Sequence, residues 1–204
     1  MSRKEEIRSF VGKKIRSMQT GAATAGTKAA LADLRRGVGR EPGEMPQLFG
    51  TILYEMPEGF LSRDGTATKE EWVCYVSLTL YALHQQGHEE GRQAMHTADK
   101  VSIGKAMYQL VLAYEGDSNA EQRVLQRLKT LITAVDMKEL SHHLRGTVQL
   151  LKSKDIPLNY EILAEDLYEL QFPEGKNRVS LRWGQDFYGG RNITEKQHEK
   201  EDTL

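Results

Sequence analysis

One cysteine, Cys74, stands in 204 residues, so no internal disulfide is available, and a structural zinc site takes several Cys or His at close spacing. A long apolar run is missing too. The longest uncharged stretch, Trp72 to His88, closes with Gln85, Gln86, Gly87 and His88 and falls short of the ~20 mostly apolar residues a membrane span needs. Met1-Ser-Arg-Lys-Glu-Glu6 carries acids and no apolar segment, so neither a secretory signal nor a transit peptide is expected, and a cytoplasmic location is. Nor does one sign of charge dominate. The 28 Lys+Arg stand against 29 Asp+Glu for a formal net charge of −1, which taken as a total argues against a strongly basic nucleic-acid binder.

What is present changes that first impression. The apolar set is 39% with 18 glycines, ordinary for a globular chain. Charge, however, is segregated. Residues 1–40 hold ten Lys/Arg against three Asp/Glu, 123–154 hold seven against two, and 175–191 hold four against one. The acids crowd the segments between, most densely at 155–174, with six acids and no base. A fold that gathers the basic blocks on one side presents a focused positive face at zero net charge.

Almost every segment reads as helix. Thr68-Lys-Glu-Glu71, Ser118-Asn-Ala-Glu121 and Asp136-Met-Lys-Glu139 each place a capping oxygen three residues before a Glu and ahead of an apolar run. Trp72 to Leu83 is apolar nearly all round, as in a helix at the centre of a bundle. Ile103, Met107, Leu110, Val111 and Tyr114 form one helical face, as do Val124, Leu128, Leu131, Ile132 and Val135, then Leu140, Leu144, Thr147, Val148 and Leu151. Asn159 reads as the cap of a last long helix. Only Val179-Ser-Leu-Arg-Trp183 alternates with strand period, and a lone strand forms no sheet, so an irregular or extended arm is expected there. The expected fold is all-α, a helical bundle in two small lobes with that C-terminal arm. Its expected divisions are a basic segment at 1–24, one lobe at 25–115, a second lobe with the arm at 116–191, and a polar tail at 192–204.

Gly21-Ala-Ala-Thr-Ala-Gly26-Thr27-Lys28 has phosphate-loop spacing with Lys and Thr transposed and no buried strand ahead of it, so it reads as a link ending in a helix cap. His142 and His143 point ~100° apart on a helix, and no Cys, Asp or Glu follows either at i+4, so no metal site is expected. His143 is expected to pack at the edge of the apolar stripe. Acidic pairs such as Glu165-Asp166 and Glu89-Glu90 look like solvated charge. No Ser or Cys has a base at a suggestive spacing, and neither a catalytic residue nor a cofactor is expected, although a triad is spatial and need not show in sequence.

The basic positions are more informative. Lys138, His142, Arg145, Gln149 and Lys152 share the helix face opposite the Leu140 stripe, over ~21 Å at ~1.5 Å per residue. Arg123 and Arg127 are an i, i+4 pair. Arg178 and Arg182 return to one side whether the segment is helical or extended. Arg35, Arg36 and Arg40 surround a Gly turn expected to offer backbone donors beside the guanidinium groups at a phosphate.

Leu34-Arg-Arg-Gly-Val-Gly39, Leu78-Thr-Leu-Tyr-Ala-Leu-His-Gln-Gln-Gly87, Ser102-Ile-Gly-Lys-Ala106, Leu140-Ser-His-His-Leu-Arg-Gly146 with Leu150-Leu-Lys152, and Arg182-Trp-Gly-Gln-Asp-Phe-Tyr188 occur in this order. Together, over about residues 25 to 190, they closely resemble the CasB-type small subunit of Cascade, the type I-E CRISPR surveillance complex. The resemblance implies an all-helical, non-catalytic subunit, present in two copies beside other Cascade subunits. It also implies contact with the guide RNA, the target DNA strand and the displaced strand of the R-loop. Carried over by motif, the candidate contacts are Arg35, Arg36, Arg40, Lys105, Arg145, Lys152 and Arg182; the charge pattern adds Arg123, Arg127 and Arg178. Guide pairing reads the sequence in such a complex, so the protein need only hold backbone. The rival reading is a structural spacer that touches only protein.

Overall fold

The computed structural model describes residues 1–21, 24–88 and 93–201, with side chains to residue 189. Glu89-Glu90 therefore lies outside the described residues. The helices are α1 (Arg3–Thr20), α2 (Ala25–Arg36), α3 (Phe49–Ile52), α4 (Lys69–Gln85), α5 (Ile103–Leu112), α6 (Ala120–Thr133), α7 (Met137–Ser153), α8 (Tyr160–Leu170) and α9 (Pro173–Glu201). Two short 3₁₀ turns flank α3, and no strand occurs among the described residues, so the fold is all-α.

Local chemistry sets most of the starts. Thr68 closes a full capping box on α4: its hydroxyl accepts from Glu71 N–H at 3.1 Å while the Glu71 carboxylate accepts from Thr68 N–H at 2.8 Å. Thr24, Ser102, Asp136 and Asn159 cap α2, α5, α7 and α8 through side-chain oxygens. Ser118 does not cap α6. The cap position is Asn119, and Asp117 satisfies its N–H at 2.9 Å and anchors Arg123 as well.

Helix α4 is the hub, packing on α1, α2, α7 and α8, while α5 lies along α9 and on α6. One continuous apolar cluster runs from Ile7 in α1 to Phe187 in α9. The division expected at 115/116 does not coincide with a break in that core. The basic segment at 1–24 is itself a core element, since α1 buries Ile7, Phe10, Val11, Ile15 and Met18 against α8 and α4. Each such side chain contributes about 1.5–3 kcal/mol when fully buried.

Where an irregular or extended arm was expected, α9 runs as a helix from Pro173, and its backbone continues through the polar tail to Glu201. Val179, Trp183 and Phe187 are fully buried at i, i+4 and i+8, whereas Leu181 is 64% exposed. Two of the three apolar residues in the alternating stretch therefore belong to a helical stripe.

Candidate nucleic-acid interface

Most of the charge segregation seen in the sequence is resolved inside the molecule. The acidic segment forms α8, and two of the three basic blocks close on it. From α1, Lys4 pairs with Glu169 at 2.8 Å, Arg8 with Glu161 and Glu165 at 3.3 and 3.6 Å, and Arg16 with Glu161. From α9, Arg178 reaches Glu169 at 3.5 Å and Arg182 reaches Asp166. Asp166, expected as solvated charge, is 1% exposed and also accepts from the Trp183 indole N–H at 2.6 Å. Arg182 is thus committed to a buried carboxylate of its own chain, while Arg178, 60% exposed, makes a looser pair with Glu169.

The other candidates lie elsewhere. Arg35 at the end of α2 and Arg145 and Lys152 on one face of α7 stand on one surface, Arg145 beside the Gly37–Gly39 turn and Lys152 close enough to Arg35 to feel its charge. An Arg145 guanidinium nitrogen lies 3.8 Å from where a Gly39 Cβ would stand. Partial burial, with the charge of Arg35 added, pulls Lys152 below the ordinary lysine range. A bound anion would oppose that shift. Lys152 donates to Gln86 Oε1 at 3.1 Å, and none of the three has a carboxylate in ion-pair range among the described residues.

Arg36 pairs with Asp33 at 2.8 Å and Arg40 with Glu44 at 3.7 Å, both well exposed. Such surface pairs are worth about 0–1 kcal/mol and exchange readily for phosphate. Lys138 is held by Glu41 at 2.6 Å, which raises its pKa. Most of the turn's donors are used internally, because the N–H groups of Gly37, Val38 and Arg40 already bond to the carbonyls of Asp33 and Leu34, Arg35, and Gly37. Its role is positional: the Tyr75 hydroxyl donates to Gly37 O at 3.0 Å and fixes the end of α2 on α4.

On the far side of α7, Arg127 is exposed without an ion pair among the described residues, while Arg123 is spent on Asp117 and also lies over the Tyr114 ring. Lys154 lies over the same ring at 4.9 Å and was missed in the sequence because it falls past the helical stripe. Lys105 is exposed on α5, which packs on α9 and α6 and also on α7. His143 is half-buried as expected, and Glu139, four residues before it rather than after, stands 3.5 Å from its Nε2. No group of three or more His, Cys, Asp or Glu suited to a metal ion occurs among the described residues.

The five sequence motifs consequently divide in two. Three of them, around Arg35, Gln86 and Arg145–Lys152, meet at one surface. The other two form an internal lock, in which the Ser102 hydroxyl donates to Asp186 and Phe187 packs edge-on against Tyr108 at 5.8 Å.

Comparison with known proteins covers nearly the whole stretch that carries the five motifs. A family model described as CRISPR-associated protein Cse2 matches residues 30–188. The structure of CasB from Thermobifida fusca is similar, with 32% identity and a TM-score of 0.72 over 89% of this chain and 97% of that one. CasB from M. ruber is similar at 26% identity and a TM-score of 0.63, over 93% and 97%. No curated protein matches.

Proposed function

The chain belongs to the CRISPR-associated Cse2 family and is thereby a Cascade subunit, and from that premise we propose that it steadies the R-loop through sequence-independent phosphate contacts. Arg35, Arg145 and Lys152 form the centre of the contact surface, with Arg36, Arg40 and Arg127 at its margins and Lys105 as an outlying contact. The strands held are the guide RNA, the target strand paired with it, and the displaced strand; the role is to bind, in the cytoplasm, beside other Cascade subunits and a second copy of itself. One observation carries the reading: three cations from two helices stand on one surface with no carboxylate in ion-pair range among the described residues, whereas the cations of α1 and α9 are largely paired with acids of α8. Arg178 and Arg182, already paired, contribute by holding α9 in place.

The test is the triple variant Arg35→Glu, Arg145→Glu, Lys152→Glu in the reconstituted complex, with target-DNA affinity measured across salt. Each lost phosphate contact removes ~0.9 from the slope of log K against log salt, so the slope should flatten by about 2.7. An unchanged slope refutes the assignment. The spacer reading keeps one observation in its favour, an apolar hollow lined by Met45, Leu48, Phe49 and Leu53 with Phe49 44% exposed, which suits a protein neighbour. Crosslinking the assembled complex separates the two: adducts to nucleic acid at Arg35 or Arg145 support phosphate contact, and adducts on other subunits alone support the spacer.

A further inference from the structure

Phosphate contacts alone cannot tell a paired strand from an unpaired one. A second surface on this chain has the chemistry to do so. Between α6 and α7 lies an open groove of about 530 Å³, within the ~300–1,000 Å³ usual for ligand sites. Its floor is apolar, formed by Val124 and Leu150, with the Tyr114 ring at one end. Gln122 and Gln126, one helical turn apart on α6, are exposed along its rim beside Arg127.

Gly146 supplies an independent indication. It stands one turn before Leu150, so the two share a face of α7, and nothing lies within 4 Å of where its Cβ would be. Glycine inside a helix costs about 1 kcal/mol relative to alanine, and no contact among the described residues accounts for it here. The bare position leaves open space on α7 one turn from the groove's Leu150.

We propose that this groove takes one unpaired nucleotide of a single strand, a reading that rests on the nucleic-acid function proposed above. The base lies on Leu150 and Val124 against Tyr114, and the amides of Gln122 and Gln126, each both donor and acceptor, meet its edge without selecting one base. Arg127 takes the flanking phosphate. Lys154, now over the Tyr114 ring, is exposed and free to exchange the ring for a second phosphate. An aromatic and apolar floor within a positively charged groove is how sequence-tolerant single-strand sites are built. A duplex keeps its base faces stacked inside and gains nothing from such a floor.

The experiment uses the full chain and three fluorescein-labelled probes at low salt: dT20, rU20 and a 20-base-pair DNA duplex. Gly146→Leu builds a side chain into the open space beside Leu150, at the edge of the groove, and raises helix propensity, so it should melt no lower than the native chain. It should weaken dT20 or rU20 about tenfold or more, from the ~1–3 kcal/mol of one lost base contact, and leave the duplex within about twofold. The more affected of the two single strands identifies the occupant. Equal losses on single strand and duplex, no loss on either, or no single-strand binding by the native chain would each overturn the groove. The triple Glu variant serves as the separate control. If it weakens single strand and duplex together while Gly146→Leu changes nothing, the groove fails and the phosphate surface stands; if it weakens neither while Gly146→Leu is selective, the phosphate surface fails and the groove stands.

Discussion

Gly104→Ala should destabilise the chain by about 3 kcal/mol, the upper part of the range for overpacking a core, and lower its thermal midpoint by roughly 10 °C. Helix propensity alone points the other way, since alanine inside a helix gains about 1 kcal/mol over glycine. The neighbour decides the sign. A Cβ on Gly104 would meet Trp183 O at 2.1 Å and Trp183 Cα at 2.9 Å, which are backbone atoms with no rotamer to turn. Helix α9 must move off α5, withdrawing Trp183 and Phe187, both fully buried, and straining the short contact of Ser102 with Asp186. Gly146→Ala is the matched control: with open space around it, it should gain up to about 1 kcal/mol. Thermal or denaturant unfolding of both variants measures the difference, and a Gly104→Ala chain as stable as the native one would mean that α5 and α9 do not approach as described.

Much of the fold was legible because local rules agreed with tertiary packing. The capping oxygens of Thr68 and Asp136, the all-round apolar run of α4, the stripes of α5 and α7, and that of α6 as far as Ile132 are each set by neighbours a few residues away; Val135, expected on the α6 stripe, lies past the helix end at Thr133 and is 84% exposed. Two helices escaped for different reasons. In α1 the buried Ile7, Phe10, Val11 and Ile15 stand among eight charged residues from Arg3 to Arg16, and charge density hid the period. In α9 the five residues from Val179 to Trp183 fit a period of two and of 3.6 about equally. Extending the window to Phe187 separates them, because Leu181 drops out and the i, i+4, i+8 series remains.

The candidate site was legible as residue types and illegible as pairings. Arg145 and Arg182 both sit in family motifs, and the family name now attached to the chain does not distinguish them. What does is the acid that folds against each. Ion pairing joins residues 16 positions apart for Arg182 and Asp166, and 165 positions apart for Lys4 and Glu169, and no periodicity encodes such a match. The blocks of like charge were a true signal with two sources. The α1 and α9 blocks complement α8, while Arg35 of α2 and Arg145 and Lys152 of α7 have no ion pair among the described residues.

That distinction makes Arg182→Ala a sharp case, expected to damage the fold rather than nucleic-acid affinity. Removing the guanidinium leaves Asp166, 1% exposed, with the Trp183 N–H as its remaining side-chain donor. Breaking a buried pair from one side costs about 3–5 kcal/mol, chiefly from the charge left behind, and the retained indole bond and the 41% exposure of Arg182 place the expected loss near the lower figure. The pH dependence identifies the cause. Burial already pushes the Asp166 carboxyl above the ordinary aspartate range, against the pull of the Trp183 N–H and of Arg182; without Arg182 it rises further. A carboxyl whose folded pKa lies above its unfolded value favours the native state when protonated, and that advantage is lost as pH rises through the folded pKa. The penalty of Arg182→Ala should therefore be smallest near pH 4 and grow toward pH 7, with unfolding free energies of variant and native chain measured across that range. An affinity loss in the assembled complex equal to that of Arg145→Ala, with stability intact at every pH, would instead show Arg182 leaving Asp166 to meet a phosphate.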